Sequence, residues 1–127
     1  MLASGDRAPA LGLLDQDGSK VSLSSFKGRR VLLYFYPKAD TPGCTEQTCL
    51  LRDIAKKIGD VAIIGVSPDA VDKQKKFATK YKVGFPLLCD TEQAVSLKYG
   101  VWQEKSLYGR KFMGIVRSAF LIGPTGR

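Results

Sequence analysis

The chain has 127 residues, 44% of them hydrophobic and 25% charged, which suits one globular domain over 1–127 with a core that needs no metal or disulfide staples. It contains no histidine, which excludes Cys-His and Ser-His catalytic pairs and every histidine-containing metal site. Three cysteines are too few for a secreted disulfide framework, no apolar run reaches the roughly 18 residues of a membrane span, and no charged-then-apolar leader opens the chain, so a cytoplasmic protein with reduced thiols is expected.

Residues 5–28 read as a hairpin region. Pro9 keeps the lead-in extended, Gln16-Asp17-Gly18-Ser19 is a turn, Val21 and Leu23 alternate with polar neighbours, and residues 24–28 make one helical turn. Residues 31–36 are continuously apolar and rich in aromatic and β-branched types, the pattern of a central strand covered on both faces. Residues 43–58 have helical spacing, with Leu50, Leu51, Ile54 and Ile58 as the inner face and Gly59 as the stop. Residues 61–66 form a second buried strand. Ser67 is expected to cap a helix with Pro68 in its first position, running to about Lys82 with Val71, Phe77, Ala78 and Tyr81 turned inward. Residues 85–88 are a short strand, and Asp90 or Thr91 caps a helix through Tyr99 that Gly100 stops. Residues 101–116 read as loop-rich, 117–122 as a third long strand, and 123–126 as a hairpin turn with no strand following it. Strands alternating with helices give an α/β fold: a mainly parallel sheet, helices on both faces, and an antiparallel edge.

The chemistry concentrates after the central strand, which stops at Pro37 and hands Cys44 to a helix start through Thr41-Pro42-Gly43. The first turn of a helix has N–H groups without intrahelical partners and a partial positive charge, which favours thiolate, the reactive form of cysteine. Gly43 lets a small ligand approach the backbone, Pro42 stiffens the turn, and Thr41 offers a hydroxyl. The alternative, Cys44 as a small core residue, is disfavoured by the polar Thr41 and Thr45-Glu46-Gln47 that flank it. Cys49 lies five positions on. In a regular helix the two Cα atoms are about 8.6 Å apart, beyond the roughly 7 Å reach of a disulfide. Cys49 therefore reads as a buried helix residue, as a thiol that reaches Cys44 only after the helix start unwinds, or as both, since the resting helix can bury it. Cys89 reads as a core or edge residue. A zinc site from Cys44, Cys49 and Cys89 lacks the usual close spacing and a fourth ligand, so no metal is expected.

The run Pro37, Thr41, Cys44 matches the PxxxTxxC signature of peroxiredoxins. The wider segment YFYPKADTPGCTEQTC resembles the bacterioferritin-comigratory-protein/peroxiredoxin Q subfamily, as do GDRAPALGLLDQDG, GVSPD, FPLLCD, YGVW and YGRKFMGIVRSAFLIGPTGR, so the resemblance spans essentially the whole chain. It implies a thioredoxin-like fold, here apparently without the family's C-terminal strand and helix, and a thiol peroxidase that needs no cofactor. It implies Cys44 as the peroxidatic cysteine, Thr41 as the residue that hydrogen-bonds the peroxide, and Pro37 as the shield of the site. Arg117 matches the arginine that stabilises the thiolate and polarises the peroxide, and Gly43 lies in the same substrate pocket. Cys49 resembles the resolving cysteine, which implies a Cys44–Cys49 disulfide. The implied partners are hydrogen peroxide or organic hydroperoxides and thioredoxin or a similar dithiol, with the chain a monomer. The stretch from 55 to 61 is shorter than is usual in the family.

The net charge of +8 raises nucleic-acid binding as an alternative. The basic clusters at 27–30, 73–82 and 105–111 are not interleaved with aromatics, so solvated helix faces are the favoured reading and no nucleic-acid or membrane partner is expected. A third reading is a redox-sensing, holdase-like protein that uses the same cysteine pair to change shape.

Overall fold

The computed structural model describes residues 5–26, 28–55, 57, 61–124 and 126. An N-terminal hairpin pairs β1 (Gly12–Leu14) with β2 (Lys20–Ser22) across the turn at Gly18, and a 3-10 turn follows at Leu23–Phe26. Then come β3 (Arg30–Phe35), α1 (Pro42–Ala55), β4 (Val61–Ser67), α2 (Val71–Lys80), β5 (Leu87–Cys89), α3 (Ala94–Lys98), β6 (Trp102–Leu107), β7 (Arg110–Ile115) and β8 (Ser118–Ile122).

The central sheet has the order β5-β4-β3-β8. β3, β4 and β5 are parallel, and β8 runs antiparallel along β3. This is the expected mixed sheet, mainly parallel with one antiparallel edge. Among the described residues no strand pairs with the outer edge of β8.

The alternation of side chains along β3 divides the core in two. Val31, Leu33 and Phe35 join Ile64, Val66, Leu88, Val95, Tyr99 and Ile122 on one face, closed by α3 and the N-terminal segment. Tyr34 and Tyr36 point to the other face, where Cys44 of α1, Phe77 and Ala78 of α2, and Leu87 close over them. Gly65 sits beside Tyr34 in the parallel register, and a Cβ there would come within 2.9 Å of the Tyr34 ring and of Leu87. The bare glycine backbone makes room for the tyrosine ring in the sheet directly beneath α1.

Four details of the sequence reading are corrected. The inner face of α1 is Cys44, Thr48, Leu51 and Ala55, whereas Leu50 and Ile54 are exposed. Apolar content alone misplaced the face, because the i, i+4, i+7 row that meets the sheet carries a cysteine and a threonine. Ile58 and Gly59 lie outside the described residues. Ser67 is the buried last residue of β4, not a helix cap; its hydroxyl donates to Asp69, and α2 starts at Val71 after Ala70 without a side-chain cap. The short strand expected at 85–88 is shifted to Leu87–Cys89, and the helix after Asp90 has only five residues, with the Asp90 carboxylate accepting from the N–H groups of Val95 and Ser96. Finally, residues 101–116 are mostly a β-hairpin, β6 with β7. Its two-residue loop, Tyr108-Gly109, has positive φ at both positions, the backbone of a type I′ turn. The hairpin escaped notice because a tyrosine stands where asparagine is usual and both strands carry charges on exposed faces.

Candidate active site

The site is built on the connection from β3 to α1. Pro37 has no N–H to continue a strand ladder, and the chain leaves the sheet there. Residues 37–41 are then pinned from three directions. The Ala39 N–H donates to the buried Asp69 carboxylate at 2.7 Å. Asp40 takes a left-handed backbone (φ 57°), and its carboxylate accepts from the Lys80 ammonium at 3.1 Å and the Tyr81 hydroxyl at 2.9 Å. Those two contacts hold the Asp40 carboxyl below its ordinary range, the lysine contributing most. Thr41 Oγ1 donates to the Lys38 carbonyl at 2.9 Å. A loop tied to α2 and to the end of β4 sets the direction in which α1 begins.

Pro42 occupies the first position of α1, where its missing N–H costs nothing. Cys44 is third, so the N–H groups of Gly43 and Cys44 have no intrahelical acceptor and lie at the positive end of the helix. The first turn closes with the Thr45 N–H on the Thr41 carbonyl at 2.8 Å. The Cys44 side chain is 1% exposed and packs against the tyrosine face of the sheet.

Arg117 arrives from the link between β7 and β8. Its Nη2 donates to Cys44 Sγ at 3.2 Å, and its Nη1 donates to Gln47 Oε1 at 2.9 Å. The guanidinium passes over Gly43, where a Cβ would stand 3.2 Å from Nη2. Gly43 was expected to admit a small ligand; what lies against it is the arginine. A planar fork can hold the sulfur and the Gln47 amide at once, which a lysine ammonium cannot do in the same plane. The structure thus brings Cys44, Gly43 and Arg117 into contact across 73 residues of sequence, with Thr41 at the entry to the same helix and Pro37 at the end of the strand below.

Cys49 is partly buried on α1, and all three cysteines are free thiols. The helix is continuous from Pro42 to Ala55, so Cys44 and Cys49 are held apart by its rise. Cys89 lies away from this group, with Sγ 3.9 Å from the Asp15 carbonyl. Burial, and secondarily the negative charge of Asp15, pushes its thiol up to about 11. At about pH 8 a thiol with that value is almost wholly protonated, and thiolate is the form that alkylates. Iodoacetamide treatment of the native reduced protein at that pH is expected to leave Cys89 unmodified, with labelling rising only as the pH approaches 11. Peptide mass spectrometry checks this, and labelling of Cys89 at the rate of the unfolded chain would refute it. Among the described residues no group of three or more His, Cys, Asp or Glu could hold a metal ion, and no helix is long and apolar enough to cross a membrane.

The sequence reading missed Gln47, which positions Arg117, and Asp69, which pins Ala39. Gln47 stands three residues after Cys44, the spacing that places two side chains on neighbouring helical positions, so a signal was present. Asp69 gave none, because its partner is a backbone N–H thirty residues away.

The chain matches the family model described as the AhpC/TSA family over residues 4–127. It is 49% identical over 129 residues to peroxiredoxin Bcp of Escherichia coli strain K12, covering 99% of this chain and 82% of that relative. Identity to peroxiredoxin Bcp of Bacillus subtilis is 45%, over 97% of this chain and 80% of the relative. Among solved structures, peroxidoxin BcpB of Mycobacterium tuberculosis superposes with a TM-score of 0.88 at 35% identity, over 100% of this chain and 82% of the other. A bacterioferritin comigratory protein of Xanthomonas campestris, studied for alkyl peroxide reduction, gives 0.85 at 35% identity, over 92% of this chain and 76% of the other.

Proposed function

Since the chain belongs to the AhpC/TSA family and is a peroxiredoxin of the Bcp/peroxiredoxin Q group, a peroxidase, we propose that Cys44 is its peroxidatic cysteine, Cys49 its resolving cysteine, and thioredoxin or a similar dithiol its reductant. The observation that carries this reading is the 3.2 Å contact of the Arg117 guanidinium with Cys44 Sγ at the start of α1.

In this reading a peroxide enters beside Arg117, with Pro37 closing the side toward the sheet. Cys44 thiolate attacks the nearer oxygen in line with the O–O bond. The S–O bond forms as the O–O bond breaks, and the electron pair departs on the far oxygen. Charge growing there is met by the guanidinium and by backbone N–H groups of the first turn, donors already in place before the reaction. The Thr41 hydroxyl spends its proton on the Lys38 carbonyl, so its lone pairs are left to accept the O–H of the bound peroxide and orient it. The leaving oxygen takes a proton and departs as water or alcohol, and Cys44 becomes a sulfenic acid.

The sulfenic acid and the Cys49 thiol then condense to a disulfide with loss of water. The intact helix keeps the Cα atoms about 8.6 Å apart, so the turns between them must open first. A dithiol reductant exchanges with the disulfide and returns both thiols. Reduction of organic hydroperoxides beside hydrogen peroxide is supported by the Xanthomonas campestris relative, whose alkyl peroxide reduction has been described.

The test is thioredoxin-coupled turnover of wild type beside Cys49→Ser. The variant is expected to complete one round of peroxide consumption and then stall as sulfenic or sulfinic acid, with steady-state turnover down at least tenfold. Full thioredoxin-dependent turnover in Cys49→Ser would overturn the assignment of the resolving thiol.

A further inference from the structure

Beneath the Cys44–Cys49 segment lies a polar contact that the chemistry above does not use. Tyr34 of β3 is fully buried, and its hydroxyl lies 3.0 Å from Thr48 Oγ1, also fully buried. Thr48 is one turn on from Cys44 and immediately precedes Cys49. Among the described residues Thr48 is the hydrogen-bond partner of this phenol. The tyrosine cannot readily turn to find another. Its ring rests over Gly65, stacks on Tyr36 with centroids 5.4 Å apart, and meets the edge of Phe85 at 6.1 Å. Burial raises the phenol well above its ordinary range, with the nearby Cys44 and Cys49 raising it further against the opposing Thr48 bond, so it stays neutral.

A buried hydroxyl stripped of its partner is costly, more so than the bond is worth when both partners can reach water. Thr48 cannot leave the sheet without creating that situation. Yet Cys49 cannot reach Cys44 while the turn containing Thr48 stays wound. We infer that Tyr34 and Thr48 are positioning residues that hold this turn of α1 on the sheet, and so set how the Cys44 sulfenic acid divides between condensation with Cys49 and a second oxidation. The inference rests on the proposed roles of Cys44 and Cys49.

The two fates balance as follows. In condensation, Cys49 sulfur bonds to Cys44 sulfur and the sulfenic oxygen leaves as water. In the competing step, a second peroxide transfers one oxygen to the sulfenate, itself leaving as water or alcohol, and Cys44 becomes a sulfinic acid. The first needs the helix open; the second needs only the wound helix with its bound peroxide. A tighter latch therefore shifts the division toward sulfinic acid.

Tyr34→Phe keeps the ring over Gly65 and removes the hydroxyl, and Thr48→Val keeps the shape and removes the other partner. In each, the rate of sulfenic acid formation is expected within twofold of wild type. Disulfide formation, followed by acid quench and mass spectrometry after one equivalent of hydrogen peroxide, should rise about fivefold, the equivalent of one ordinary hydrogen bond. The peroxide concentration that converts half of Cys44 to sulfinic acid should rise by the same factor. The double variant should gain no more than either single change, because both remove one bond. An unchanged division, or more sulfinic acid, overturns the inference. Amide exchange of residues 45–49 in the reduced protein gives a readout independent of Cys49 chemistry: about fivefold faster in Tyr34→Phe, with β4 amides unaffected. If Cys49→Ser shows that Cys49 does not resolve, faster exchange still supports the latch, and unchanged exchange removes it.

Discussion

Cys44→Ser is expected to reduce peroxide consumption to the rate of the thioredoxin system alone. The substitution changes one atom at a side chain that is 1% exposed, so the fold and the first turn of α1 are retained. What is lost is the capacity for two-electron oxidation: sulfur accepts an oxygen from the peroxide and later yields it as water, while a serine hydroxyl does neither. No other thiol can substitute. Cys49 is not at a helix start, and Cys89 is held protonated by burial. The measurement is NADPH oxidation coupled through thioredoxin reductase and thioredoxin, with circular dichroism to show that the variant is folded. Residual turnover above one tenth of wild type would move the reactive thiol elsewhere.

Arg117→Met is expected to lower kcat/KM for hydrogen peroxide by about 10²–10³, the range for removing one preorganised donor from developing negative charge. Arg117→Lys recovers part of this, because an ammonium restores the charge but cannot span Cys44 Sγ and the Gln47 amide together. Methionine matches much of the apolar length of the arginine stem, and residue 117 is exposed, so thermal stability is expected to shift little. Stopped-flow measurement of the first oxidation isolates the step. An Arg117→Met variant with the wild-type rate would mean that the helix start and Thr41 suffice without the guanidinium.

The strand that carries the site was legible because its signal is local and strong. Residues 31–35 are apolar without interruption, which fits a strand whose alternate side chains enter two separate cores, and Pro37 marks its end. The same holds for β4, for α2 as a helix, and for the parallel order with an antiparallel edge. The inner face of α1 was misjudged for the opposite reason. Its sheet-facing row is Cys44, Thr48, Leu51 and Ala55, which holds one polar residue and two small ones, while the larger Leu50 and Ile54 lie beside it and are exposed. The β6–β7 hairpin was missed because both strands are solvent-facing and charged, leaving no period-two contrast to read.

By itself the sequence determined the candidate reactive segment: a buried strand, a proline stop, and a cysteine delivered to a helix start in a spacing shared with peroxiredoxins. These are properties of contiguous residues, fixed by backbone preferences and by the dipole of the helix they begin. It also placed Cys49 out of bonding reach in an intact helix, since helical rise depends only on sequence separation. Tertiary structure decided everything that joins distant segments. The antiparallel pairing of β8 with β3 carries Arg117 to Cys44, and the gap left by Gly43 lets its guanidinium lie against the helix start. Asp69 reaches a backbone N–H of the loop, and Tyr34 meets Thr48 from the sheet below. Each of these contacts depends on strand order and register, and a side chain carries no local mark of the partner that packing will bring to it.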